Sequence, residues 1–198
     1  MKTKLFLLGA LLTMSLSGFA QSTYSWGPKV GLNFSSYRPK VATFDVLTGA
    51  NAGLFFNYAV NNWGIMVEAN YTQLGSEVNN GTNLERLHYI QVPVSGVYYF
   101  GEYGDAVRPK LFAGPYLGFL VSSTDKNGDE LSNGQQVRNG TDFGGQVGAG
   151  FNIRIKNQVW LNTDVRYMIG FTDVTKEPST TFRNSGVGIN VGVSFPIK

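Results

Sequence analysis

Four charged residues stand out because they fall on a face that is otherwise rich in glycine and asparagine. Glu68, Lys110, Asp164 and Arg166 each lie within a segment of alternating apolar and polar residues. A charge enclosed by protein is costly unless it is paired or hydrogen-bonded, so we expect these side chains to form one structural polar network. The other use of the same residues is a path for protons or small ions, with Glu68 or Asp164 titrating.

His88 is the only histidine in the sequence, so a histidine-rich metal site is excluded. As a general base it would need a nucleophile and a carboxylate beside it, as in membrane-embedded barrel enzymes that act on lipids. The spacing places no serine and acid pair next to His88. We therefore interpret it as a polar residue near the outer end of a strand, predict no catalytic residue, and expect a protein that is not an enzyme.

The segment from Asp125 to Glu130 resembles the start of a calcium-binding loop. Its glycine, Gly128, stands at the fourth position instead of the sixth, and Gln136 occupies the position that needs a bidentate glutamate. Glycine spacings such as Gly148-Ala-Gly150 open no predicted helix, so they do not indicate a phosphate cradle. We expect no metal site and no cofactor.

The first residues have the pattern of a signal peptide. Lys2 and Lys4 precede an apolar run from Leu5 to Leu16, and Gly18-Phe19-Ala20 is a small-x-small cleavage site. We predict a signal peptide at residues 1–20 and one exported domain at residues 21–198. The apolar run is shorter than the ~20 residues of a spanning helix, and no later segment is long enough.

The composition favours strands and tight turns over helices. The chain has 25 glycines and no cysteine, with 14% aromatic and 15% charged residues. An exported chain without cysteine has no disulfides, so the strand network itself must hold the fold together. The formal charge of +3 comes from scattered residues, which argues against a nucleic-acid partner.

Eight segments with a period of two residues follow one another along the chain, and long and short connections alternate between them. The segments are Lys29 to Tyr37, Ala50 to Tyr58, Gly64 to Gln73, Leu87 to Phe100, Pro109 to Ser122, Thr141 to Ile155, Gln158 to Phe171 and Asn184 to Phe195. The long connections are Arg38 to Gly49, Leu74 to Arg86, Ser123 to Gly140 and Thr172 to Arg183. This alternation is typical of transmembrane β-barrels, with turns in the periplasm and loops outside.

One face of these segments is apolar and uncharged, for example Val30, Leu32 and Phe34. A soluble barrel of the lipocalin type would turn that face inward, and a membrane barrel turns it toward lipid. The opposite face carries many glycines and few charges, which suits an enclosed lumen better than a water-exposed surface. Aromatic residues near the predicted strand ends form two girdles. They are Tyr58, Trp63, Tyr98, Phe100 and Phe195 at the periplasmic end, and Phe34, Tyr71, Phe119, Tyr167 and Phe171 at the outer end. The sequence thus predicts an all-β fold, an eight-stranded antiparallel up-and-down transmembrane β-barrel.

Three segments carry a resemblance to a known family: Gly27 to Ser35 (GPKVGLNFS), Leu87 to Val94 (LHYIQVPV) and Gly192 to Phe195 (GVSF). In order and spacing they resemble the PorT-like outer-membrane β-barrel family across essentially the whole mature chain. The resemblance implies a porin-like barrel of the bacterial outer membrane. Many such barrels end on an aromatic residue, whereas this chain ends Phe195-Pro-Ile-Lys198.

Three functions are compatible with these features. The first is a non-enzymatic barrel with a side-chain-filled lumen, embedded in outer-membrane lipid, whose four long loops contact an extracellular or host partner. The second is a narrow porin or a secretion-system accessory barrel, the latter suggested only by the family resemblance. The third is an outer-membrane lipid-modifying enzyme that uses His88. We favour the first.

Overall fold

The computed structural model describes residues 22–39, 44–78, 83–131, 138–156, 158–176 and 181–197. The predicted signal peptide and its cleavage site lie outside these ranges. Within them there is no helix long and apolar enough to cross a membrane.

Eight long strands and one two-residue strand make up the described fold. They are β1 (Ser22–Arg38), β2 (Phe44–Asp45), β3 (Leu47–Val60), β4 (Trp63–Val78), β5 (Asn83–Tyr99), β6 (Val107–Thr124), β7 (Thr141–Lys156), β8 (Val159–Gly170) and β9 (Arg183–Ile197).

The long strands close into a barrel. Each pairs antiparallel with its neighbours in the chain, and β1 pairs with β9 from Tyr24↔Ile197 to Arg38↔Arg183. The short β2 pairs with the outer end of β4. Closure leaves no long strand with an unpaired edge, which a span through hydrocarbon requires. The predicted fold class, an eight-stranded antiparallel barrel, is confirmed.

Seven of the eight long strands are longer than the alternating pattern predicts, and β8 is shorter. β1 begins at Ser22 instead of Lys29, and it pairs there with Val60. The predicted long connection from Leu74 to Arg86 is wrong, because β4 and β5 stay paired as far as Val78↔Asn83. Alternation is visible only where one face touches lipid. Beyond the apolar band both faces are polar, so a paired strand there has the sequence of a loop.

The outward face is the apolar one. Along β1, Val30 is 56% exposed and Leu32 51%, while the alternate residues Lys29 and Asn33 are 5% and 1% exposed. The same alternation runs through β3, β6, β7 and β9. A belt of exposed apolar side chains around a whole barrel far exceeds the patches of a few hundred Å² found on soluble monomers.

Aromatic and charged residues mark the two edges of this belt. At the end with the short turns, the ring centroids of Trp63 and Tyr98, both in the predicted girdle, lie 4.9 Å apart, and Tyr24, which was not predicted, stacks on Tyr58 with centroids 4.8 Å apart. At the opposite end Arg38 on β1 pairs with Arg183 on β9. The alternation of the two strands places both residues on the outward-facing side. The belt between these edges carries no charge.

Inward-facing glycines make room for large lumen side chains. A Cβ added to Gly148 would lie 2.3 Å from the Phe112 ring and 2.7 Å from the carbonyl oxygen of Val165. A Cβ on Gly96, a strand glycine on the outward face, would meet nothing closer than 3.9 Å. The space that Gly148 leaves is therefore filled by the Phe112 ring.

We expect Gly148→Ala to lower the free energy of unfolding by about 1–3 kcal/mol, because the added methyl group forces Phe112 or the backbone to move. Gly96→Ala is the matched control and should change it by less than about 0.5 kcal/mol. Urea unfolding of the refolded barrel in lipid vesicles measures both values. Equal effects of the two substitutions would contradict this packing.

Candidate functional site

The alternation of the strands brings a set of polar side chains together in the middle of the lumen. Lys29 lies on β1, Glu68 on β4, Lys110 on β6, and Asp164 and Arg166 on β8. All five are at most 8% exposed. We call this set the lumen network.

Glu68 and Arg166 form the central bond of the lumen network. Arg166 donates from Nη1 to Oε2 of Glu68 at 2.7 Å and from Nη2 to Oε1 at 3.1 Å. Around the closed barrel, β4 and β8 are separated by β3, β1 and β9 on one side and by β5, β6 and β7 on the other. The two strands are diametrically opposite, so this bidentate ion pair crosses the whole lumen.

Further bonds satisfy Glu68, Arg166 and the neighbouring Asp164. Lys29 Nζ donates to Oε2 of Glu68 at 2.6 Å. Arg166 also binds Asp164, from Nε to Oδ1 at 2.9 Å and from Nη2 to Oδ2 at 3.1 Å. The amides of Asn70 and Asn190 donate to Glu68 at 2.9 Å and to Asp164 at 2.8 Å. Buried charges that are paired and hydrogen-bonded on several sides fix one arrangement of the side chains.

Three of the four residues predicted for this network are thus brought into direct contact, and one is not. Lys110 is 3% exposed and borders the same small void as Lys29 and Asp164, but it forms no ion pair or hydrogen bond with a described residue. Lys29 was missed as a member, although its place on the inward face was visible in the sequence. Alternation assigns a residue to a face, but it does not say which residues meet across the lumen.

Apolar layers lie on both sides of the lumen network. Toward the short turns these are Phe55, Ala59, Met66, Val97, Tyr99 and Phe112. Toward the long loops they are Tyr37, Leu74, Leu87, Tyr89, Tyr116, Met168 and Val174. Voids beside the network have volumes of about 10 Å³, roughly enough for one water molecule. Between the two apolar layers the described part of the lumen is filled by side chains.

A cap of loop residues covers the outer end. Arg138, in the connection between β6 and β7, donates from Nε to Glu85 at 2.7 Å, and its guanidinium carbon lies over the Tyr37 ring, 5.4 Å from the ring centroid. Burial is the largest single effect on the pKa of Arg138 and lowers it, but the hydrogen bonds and charge of Glu85, together with Tyr37 and Tyr89, raise it more, so the pKa lies above the ordinary value. Asn139 donates to the backbone oxygens of Asp173 and Thr175 at 2.7 and 3.0 Å, which joins two of the outer connections.

His88 faces outward at the outer rim and is bonded to two hydroxyl groups. Its Nε2 lies 2.9 Å from Oγ1 of Thr124, and its Nδ1 shares a hydrogen bond with the hydroxyl of Tyr71. Ser122 pairs with His88 across the strands, but its hydroxyl donates to Glu130 at 3.1 Å. The approach of Thr124 was not predicted, because the register between β5 and β6 shifts between His88 and Tyr89.

In the segment that resembles a calcium loop, the first carboxylate, that of Asp125, binds backbone groups of its own turn. Oδ1 of Asp125 accepts the backbone N–H groups of Asn127 and Asp129 at 2.8 and 2.9 Å, so it stabilises its own turn. Among the described residues no group of three or more histidine, aspartate or glutamate side chains could hold a metal ion. Gln136 lies outside the described residues.

Solved outer-membrane barrels have a similar fold. The crystal structure of Neisserial surface protein A (NspA) matches with a TM-score of 0.57 and 17% identity, over 88% of this chain and 97% of that one. The outer membrane protein OprG from Pseudomonas aeruginosa matches with a TM-score of 0.54 and 17% identity, over 91% and 98%. At this identity the likeness shows the fold alone.

Sequence comparison identifies the family. No curated protein matches the chain. The family model for the outer membrane protein beta-barrel domain matches residues 19–176, which is most of the sequence. Together with the closed barrel and its apolar belt, this match places the protein in the bacterial outer membrane. The chain belongs to the outer membrane protein beta-barrel domain family.

Proposed function

We propose that the protein is a non-enzymatic barrel that presents its outer loops to an extracellular partner. The observation that carries the proposal is the ion pair from Arg166 to Glu68, which joins opposite walls of the lumen. A filled lumen supports a rigid scaffold better than a passage. On a rigid scaffold, the connecting loops are the usual place for binding residues.

The outer cap supports the same proposal. Its contacts between Arg138 and Glu85, and between Asn139 and Thr175, hold the described parts of two connections against the barrel. A surface that is ordered before binding loses less conformational entropy when a partner binds.

A narrow porin or a secretion-system accessory barrel is the second candidate, and the PorT-like resemblance of β1, β5 and β9 is what favours the accessory role. A porin of this kind and an accessory barrel would each belong to the outer membrane protein beta-barrel domain family. The ion pairs and the two apolar layers argue against a conducting lumen, because an ion would have to break several buried charge-assisted hydrogen bonds to pass.

The lipid-modifying enzyme is the third candidate, and one observation favours it. Thr124 lies within hydrogen-bond distance of His88, as a nucleophile and its base would. Against this, the orienting position at Nδ1 is taken by Tyr71, and no carboxylate is bonded to His88 among the described residues. Without a carboxylate the imidazolium formed in the reaction lacks its usual stabilisation.

Removing Arg166 tests the structural role of the lumen network. Arg166→Met leaves Glu68 and Asp164 without their shared partner, so the free energy of unfolding should fall by about 3–5 kcal/mol. Arg154→Met, on the exposed end of β7, is the control and should change it by less than about 0.5 kcal/mol. Urea titration in lipid vesicles gives both values, and a loss below about 1 kcal/mol for Arg166→Met would argue against a structural network.

Planar-bilayer recording separates the scaffold from a pore. The wild-type barrel should give no steady single-channel conductance, because the lumen network joins opposite walls. Steady channels that change with Glu68→Gln, but not with Glu102→Gln in an exposed turn, would contradict the proposal and favour transport. Outer-membrane fractionation and heat-modifiable migration establish beforehand that each variant is folded.

A lipid-turnover assay tests the third candidate. The folded wild-type protein, given outer-membrane phospholipid and glycolipid, should release no more fatty acid than a boiled sample. If acyl chains are released, and if His88→Ala and Thr124→Val each stop the release while Tyr71→Phe retains part of it, the protein is an enzyme and our proposal fails.

A further inference from the structure

A cavity of about 270 Å³ lies at the end of the barrel that carries the short turns. It is larger than the engineered cavity of about 150 Å³ that accommodates benzene. The apolar layer that includes Ala59 and Tyr99 forms its inner wall and separates it from the lumen network. Short turns lie on the periplasmic side of transmembrane barrels, so the cavity opens to the periplasm.

Arg108 is the one charged residue among the described residues that line this cavity. It is the first inward-facing residue of β6 and is 5% exposed. The alternating pattern starts this strand at Pro109, so the inward position of Arg108 is a correction. The guanidinium carbon lies 5.0 Å from the centre of the Tyr99 ring and 6.0 Å from that of Tyr103, which hold it in place.

The hydrogen-bonding capacity of Arg108 is largely unused. Its Nη2 donates to the carbonyl oxygen of Asn61 at 3.2 Å, and its Nε has no hydrogen-bond partner. No described carboxylate forms an ion pair with it. The carboxylate of Asp105, in the adjoining turn, instead accepts the backbone N–H of Glu102 at 2.8 Å. A buried cation without a bonded anion is costly, and an anionic ligand would remove that cost.

We propose that this cavity binds small carboxylates, with Arg108 binding the carboxylate. The end of a peptide, which carries a free α-carboxylate, has this chemistry. Trp160, which is 8% exposed and also lines the cavity, provides the apolar wall and a spectroscopic reporter.

Three related probes test the proposal by titration of tryptophan fluorescence on the full-length protein, folded in a non-ionic detergent. N-acetylglycine has both groups, acetate has only the carboxylate, and N-acetylglycinamide has only the amide. We expect saturable binding of N-acetylglycine and of acetate, and none of N-acetylglycinamide. The Trp160→Phe variant should lose the signal, which distinguishes it from Trp26 and Trp63 on the outer surface.

Variants then assign the contact. Arg108→Gln should weaken N-acetylglycine binding at least about tenfold, and Arg108→Lys should restore part of it. Arg154→Gln, on the exposed surface at the same end, should bind like the wild type. Absence of saturable binding to the wild type, or unchanged binding to a folded Arg108→Gln variant, would overturn the proposal. Heat-modifiable migration identifies the folded samples, and Arg108→Lys replaces Arg108→Gln if the latter does not fold.

Discussion

The structure depends on one constraint, which is that no backbone N–H or C=O group can remain unpaired in hydrocarbon. The pairing of β1 with β9 satisfies this constraint by closing the sheet. Once the sheet is closed, side-chain alternation divides every strand between lipid and lumen. The uncharged belt and the polar interior are two results of the same closure.

A closed sheet of eight strands leaves an interior just wide enough for side chains. Large inward residues must therefore face small ones, as Phe112 faces Gly148. The same narrowness lets one arginine reach across the diameter. Arg166 binds Glu68 on the opposite wall and Asp164 on its own strand, so the middle of the barrel needs no plug from a loop.

Much of the fold could be predicted from the sequence, and the reason is that lipid imposes a strict rule on every second residue. The faces and the number of strands follow from that rule. The paired extension of β4 and β5 toward Val78 and Asn83 could not be predicted from that rule. It lies in water, and water accepts polar side chains on both faces of a strand. Within the lumen, the choice of partners also escaped prediction. Lys29 and Lys110 have the same charge and face the same interior, but only Lys29 is bonded to Glu68, and this depends on register and height in the barrel. Arg108 was missed because the strand begins earlier than the alternation indicates.

The opposed arginines at the outer edge of the belt also determine how deeply the barrel sits in its membrane. Along β1, the outward residues from Trp26 to Arg38 span about 40 Å of strand, or about 30 Å along the membrane normal at a tilt of ~40°. That height equals the thickness of a typical hydrocarbon core. The indole of Trp26 prefers the periplasmic interface of the membrane. Arg38 and Arg183 cannot enter the hydrocarbon core from the outer interface without losing hydration. The depth of immersion is thus fixed from both ends, and a thinner or thicker bilayer would have to adjust to the protein.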